Sequence, residues 1–205
     1  MKQSLLQSIG IFALILFCTS ASAQLSGTYT IDGATTTGGT NYQTFGDAIT
    51  ALTTSGVNGA VTFNVAAGTY NEQNVIPAIT GASTVNTITF KGLGSTTVLT
   101  ATPTSANRPV LSLDSASHIA IEDLKIEVLG NMGWAIHFKS HADTNAVTGC
   151  ELVGAASSDV YGIVGSGSIS AISVVQNNGE FLTISNNTFT GFERAIQFVG
   201  KTGPV

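Results

Sequence analysis

The chain reads as an all-β protein, a right-handed parallel β-helix with a short N-terminal cap helix. Three observations predict it. Two interleaved strand patterns recur at similar spacing, one amphipathic helix precedes them, and charge is scarce where Gly, Ser and Thr are abundant.

The first series is Val110-Leu111-Ser112-Leu113, Ala135-Ile136-His137-Phe138, Gly162-Ile163-Val164 and Ala195-Ile196-Gln197-Phe198. Aligned on Leu111, Ile136, Ile163 and Ile196, its offsets are 25, 27 and 33 residues. The second series is Ile121 to Ile126, Val147 to Leu152 and Ile184 to Phe189, with offsets of 26 and 37. Two interleaved series describe one supersecondary unit repeated, and such units bury their apolar sides only by stacking. The longer offsets are loops inserted into a rung, which cost little in closure entropy. A β-sandwich also offers short strands at regular spacing. Its hairpins carry Asn-Gly or Asp-Gly turns, and the repeating strands here are not joined by them. Asn186-Asn187 falls inside the repeat instead, where a coil turns a corner.

The elements follow in order. Gly27 to Gly33 alternates as a strand. Thr44 is a helix N-cap with Asp47 as capping-box partner. Phe45, Ala48, Ile49 and Leu52 form one helical face, and Ser55-Gly56 ends it. This helix would close a free solenoid end. Val61, Phe63 and Val65 then alternate with Thr62 and Asn64. Strands at 87–90 and 97–99 flank Gly92-Leu93-Gly94. The division is a leader at 1–23, a cap at about 24–60 and rungs at about 61–200, within one domain of 24–205.

Tyr42 to Ile49, Val61 to Val65 and Gly68-Thr69-Tyr70-Asn71-Glu72 resemble the N-terminal part of pectinesterases and other pectin-lyase-like β-helix proteins. The stretches 88–94 and 97–99 are similar to that group's next rung. The resemblance implies the fold, with Tyr70 and Glu72 as structural turn residues. It stops short of chemistry. The group's Gln-Asp-Thr-Leu, Asp-Phe-Ile-Phe-Gly and Leu-Gly-Arg-Pro-Trp motifs are absent, so no catalytic residue carries over.

Alternation places Asp114, His137 and Lys139 on an outer face, with Asp114 and Lys139 on adjacent strands about 4.8 Å apart. His141 and Asp143 follow in the next turn. This patch reads either as an acid–base or sugar-contacting group, or as an exposed ion pair. Trp134 offers a ring for sugar stacking, or covers the edge of the core. Glu122, Asp123 and Glu127 form a second acidic group. Calcium would need six to eight converging oxygens, and the sequence supports no such set. Cys150 reads as a buried strand thiol, and it leaves no cysteine zinc site in the mature chain.

Met1-Lys2, the apolar run Ile9 to Cys18 and Ala21-Ser22-Ala23 form a secretory leader, too short to span a bilayer. Its removal leaves six Lys/Arg against twelve Asp/Glu, a formal charge of −6. That balance disfavours nucleic acid as a partner. The sequence ends without a visible cap, so the reading is of the N-terminal part of a longer protein. The expectation is a secreted or cell-surface bacterial β-helix. It would act as a structural or polysaccharide-binding scaffold for cell-surface glycan, with no transmembrane span. The alternative is part of a polysaccharide lyase, hydrolase or esterase.

Overall fold

The computed structural model describes residues 23–200. The leader therefore lies outside the described residues, except for Ala23. The elements are β1 (Leu25–Ile31), β2 (Asn41–Tyr42), α1 (Phe45–Ser55), β3 (Val57–Val65), β4 (Gly68–Asn71) and β5 (Asn74–Pro77). They continue with β6 (Ile88–Ala101), β7 (Pro109–Asp114), β8 (Ile119–Val128), β9 (Gly133–Lys139) and β10 (Ala146–Thr148). Then come β11 (Glu151–Gly165), β12 (Thr183–Ser185) and β13 (Thr188–Phe198).

Every pairing between these strands is parallel. Parallel neighbours cannot be joined by tight hairpins, so a sandwich is excluded and the chain is a parallel β-helix. Its coil has three faces. The first sheet stacks β1, β3, the start of β6, the start of β8, β10 and β12. The second stacks β4 and the ends of β6 and β8 on the starts of β11 and β13. The third stacks β5, β7, β9 and the ends of β11 and β13. Long strands such as β6, β8 and β11 turn the corner between two faces.

The registers match both repeat series. Leu111, Ile136, Ile163 and Ile196 pair in one row. Ile121, Val147 and Ile184 pair in another, and Ile126, Leu152 and Phe189 in a third. These rows point inward and make one continuous core. At its N-terminal end the core is aromatic. Phe63 stacks on Phe90 with centroids 5.0 Å apart, and Phe45 of α1 lies 5.9 Å from Phe90. In the last rung Ile196 and Phe198 remain partly exposed.

The helix forms where its spacing predicts, with Phe45, Ala48, Ile49 and Leu52 buried. Thr44 caps it, its hydroxyl accepting from Asp47 N at 2.9 Å. Asp47, the expected capping-box partner, accepts from the Thr37 hydroxyl. Glu72 of the Gly-x-Tyr-x-Glu turn takes two first-turn donors, Phe45 N at 3.1 Å and Gly46 N at 2.9 Å. A carboxylate at a helix N-terminus satisfies orphan donors and opposes the helix dipole. Tyr70 is buried and donates to Ile31 O at 3.0 Å.

The corner between the first two sheets is left-handed at Asp123, Gly149 and Asn186, with φ of 51°, 68° and 56°. A Cβ on Gly149 would fall 2.4 Å from Asp123 Oδ1, so any other residue there would have to displace that carboxylate as well as adopt the left-handed backbone. Asn187 bridges two rungs there, accepting from Cys150 N and donating to Val147 O, both at 2.8 Å. Cys150 is buried, and burial pushes its thiol up to about 11.

Candidate functional site: two outer faces

The outer face of the third sheet carries the polar patch expected from sequence, and the structure divides it. Asp114 and Lys139 pair in register, with Lys139 Nζ donating to Asp114 Oδ2 at 2.7 Å. Burial pushes the Asp114 carboxyl up. The hydrogen bonds from Lys139 and Ser140 and the charges of Lys139 and His137 outweigh it, leaving the group below its usual range. His141 and Asp143 sit at the next corner, 4.0 Å apart, with His141 exposed. Asp143 is committed elsewhere, accepting Glu180 N at 2.7 Å.

His137 departs from expectation. Its row does point away from the core, yet the residue is fully buried. It lies between Ser112, whose hydroxyl is 3.2 Å from Nδ1, and Ser166, whose carbonyl is 3.0 Å from Nε2. Burial drives its pKa down to about 4, so at neutral pH the ring is uncharged. The cause is the long insertion between β11 and β12, which folds back over this face. Arg108 N donates to Ile169 O at 3.0 Å, and Ile172 packs on a separate cluster of Trp134, Tyr161 and Val164. Trp134 is fully buried in this outer cluster, with its ring 4.9 Å from that of His137. It neither edges the main core nor offers a free ring for stacking. Ala135 and Ile136 both pack into the main core, so alternation breaks there and Trp134 faces out beside His137.

The second acidic group is dispersed among lysines. Lys91 lies 3.5 Å from Glu122 and 3.7 Å from Asp123, while Lys125 lies 3.8 Å from Glu127. Among the described residues no three His, Cys, Asp or Glu side chains converge as a metal site.

The outer face of the first sheet is open. One row runs Thr28, Thr62, Thr89, Ala120, Ala146 and Thr183 across six strands. The next runs Thr30, Asn64, Lys91, Glu122, Thr148 and Ser185. All twelve are half-buried or exposed. Where this face meets the second sheet, Thr30, Asp32, Asn64, Lys91 and Leu93 line a groove of about 300 Å³. Leu93 forms an apolar lip, 65% exposed. The sequence reading passed over these residues because its repeat alignment began at Leu111 and Ile121. Extending the alternation Thr62, Asn64, Thr89 and Lys91 back through the same register would have found them.

No protein-family model matches the chain, and no curated protein matches it. Solved structures with a similar coil do exist. Pectin methylesterases are among them. The enzyme from Aspergillus niger is 20% identical with a TM-score of 0.46, over 90% of this chain and 70% of that one. A pectin methylesterase variant in complex with a hexasaccharide is 14% identical with a TM-score of 0.46, over 82% and 67%. The enzyme from Erwinia chrysanthemi is 11% identical with a TM-score of 0.43, over 82% and 67%. The likeness is one of architecture and assigns no chemistry to this chain. Among the described residues no helix is long and apolar enough to cross a membrane.

Proposed function

We propose that this chain is an extracellular β-helix scaffold that holds polysaccharide along the outer face of its first sheet. The observation that carries the reading is the pair of outward rows. They present short hydroxyl, amide and methyl groups, interrupted by the Lys91–Glu122 ion pair, at the strand spacing of about 4.8 Å, with a groove beside them. A flat, nearly neutral array of donors and acceptors suits a polymer of hydroxyl groups, and Leu93 adds an apolar contact. A site of this kind binds through many weak contacts rather than one pocket.

The opposite face supports the same reading. Its closest acid–base grouping, Asp114 with Lys139, is a satisfied ion pair. Its His137 is uncharged at neutral pH and covered, which leaves the open first sheet as the better-presented surface.

The test is retention in native affinity gels cast with neutral and acidic polysaccharides. The wild-type chain is expected to be retarded by at least one polymer. The double variant Thr62→Val, Asn64→Val keeps strand propensity and removes two outward polar groups, and it is expected to migrate several-fold less retarded. Equal retardation of both proteins removes the first sheet as the binding face. Methanol release from methyl-esterified pectin by the wild-type chain would replace the scaffold reading with the esterase alternative.

A further inference from the structure

The insertion over the third sheet is fixed unevenly. Its far end is tied to the neighbouring corner by His141 N to Asn177 O at 2.8 Å, Thr144 N to Glu180 O at 2.8 Å and Glu180 N to Asp143 Oδ1 at 2.7 Å. Asn178 Nδ2 adds a bond to Val199 O at 2.7 Å. Between Gly167 and Gln176 the hold is thin. One backbone bond joins Arg108 N to Ile169 O, and a single half-buried side chain, Ile172, packs on Trp134, Tyr161 and Val164. At the near end Ser166 is held by its N–H, which donates to Phe138 O at 3.3 Å, and by His137. The histidine Nε2 meets both the carbonyl and the hydroxyl of Ser166, and that hydroxyl donates on to Ser168 O at 2.8 Å.

We propose that residues 167–176 form a proton-released strap over Trp134, closed only while the buried His137 ring beside it stays uncharged. Three features of the closed state argue for it. First, the ring can be charged only in a place walled by Ser112, Ser166 and the Trp134 indole. The charged groups that face it are Asp114 and Lys139 of its own sheet, which neutralise each other. The chain from Ser166 to Gly179 brings none. Second, Trp134 Nε1 and Arg108 Nε are buried without a hydrogen-bond partner beneath the strap. Each unmet donor costs the closed state and is released on opening. Third, the strap begins at Gly167 and is followed by Gly179, residues that can absorb backbone change at its two ends.

The size of the effect follows from linkage. Burial holds the His137 ring near a pKa of about 4, against an ordinary value of 6.5. The hydrogen bond with Ser166 and the charge of Asp114 raise it partway, and Lys139 lowers it. Protonation then favours any state in which water reaches the ring. At about pH 5 the ratio of open to closed strap rises roughly 30-fold over its neutral value.

Trp134 is the one tryptophan in the chain, so its fluorescence reports the strap directly. Acrylamide quenching should be followed from about pH 7.5 to about pH 4.5, with far-UV circular dichroism in parallel. The expected result is a several-fold rise in the quenching constant below about pH 6.5, with the β signal intact. His137→Gln should abolish that rise. Amide hydrogen exchange at Arg108 and Ile169 to Gln176 in the wild-type chain gives a second readout, expected to quicken over the same pH range. The proposal is overturned if Trp134 stays shielded throughout, if it opens only as the β signal is lost, or if strap amides exchange at a pH-corrected rate that does not change.

Discussion

The described residues form two hydrophobic clusters, and they arise in different ways. The large one fills the coil. Its rows of Leu, Ile, Val and Phe come from the inward positions of successive rungs. The small one, Trp134 with Tyr161, Val164 and Ile172, sits outside the coil under the strap. The first is repeated chemistry, in which each rung buries what its neighbour exposes. The second exists only because one rung carries an insertion long enough to fold back. An outward face of a β-helix is therefore solvent by default, and a single loop decides which part of it is available for binding. The first sheet keeps its polar rows open, and the third has its largest aromatic residue covered.

The comparison can be broken at its strong end first. Phe63→Ala removes a ring stacked between Tyr29 and Phe90 in the inner cluster. A loss of about 3–5 kcal/mol in unfolding free energy is expected, read from the urea midpoint. The strap should unfold with the coil in that variant, because nothing holds it alone.

The next effect is electrostatic. His137 binds its proton less readily folded than unfolded, so its contribution to stability is complete above the unfolded value of 6.5. That contribution is lost as pH falls toward about 4. The loss amounts to up to about 3 kcal/mol. Asp114, whose carboxyl is held below its usual range, loses stability in the same direction at lower pH still. Urea midpoints at successive pH values should fall more steeply for the wild-type chain than for His137→Gln. Parallel slopes would remove the histidine from the account.

The smallest effect sharpens the distinction. Ile172→Ala trims the one strap side chain that packs on the outer cluster. A global loss of about 1 kcal/mol or less is expected, since the site is half-buried and can collapse. Trp134 should nevertheless become more quenchable at neutral pH. A large drop in the urea midpoint would show the two clusters to be one cooperative unit.

Much of this was legible before any coordinates. Alternation gave Leu111, Leu113, Ile136, Phe138 and Ile163 as inward, and the observed registers and core agree, while Val110 and Ala135 join the same core against the alternation. The helix, its Thr44 cap and its glycine stop followed from local rules. Asp114 beside Lys139 followed from the offset of 25 residues. His137 and Trp134 did not. Their burial depends on where the insertion between β11 and β12 lies, and a Ser- and Gly-rich loop has no period from which its path can be read. The carboxylate of Glu72 at the helix N-terminus escaped for a related reason. It is 26 and 27 positions from the donors it meets, Gly46 N and Phe45 N, and only the folded coil brings it to them.

The sequence by itself determined the repeating unit, its inward rows and the low charge of its outer faces. Each of these rests on short-range periodicity, which the strand geometry enforces residue by residue. The tertiary structure alone decided which outer face stays open, which histidine is stripped of water and which carboxylate caps the helix. Those outcomes depend on contacts between segments far apart in the chain, and no local pattern encodes the distance between them.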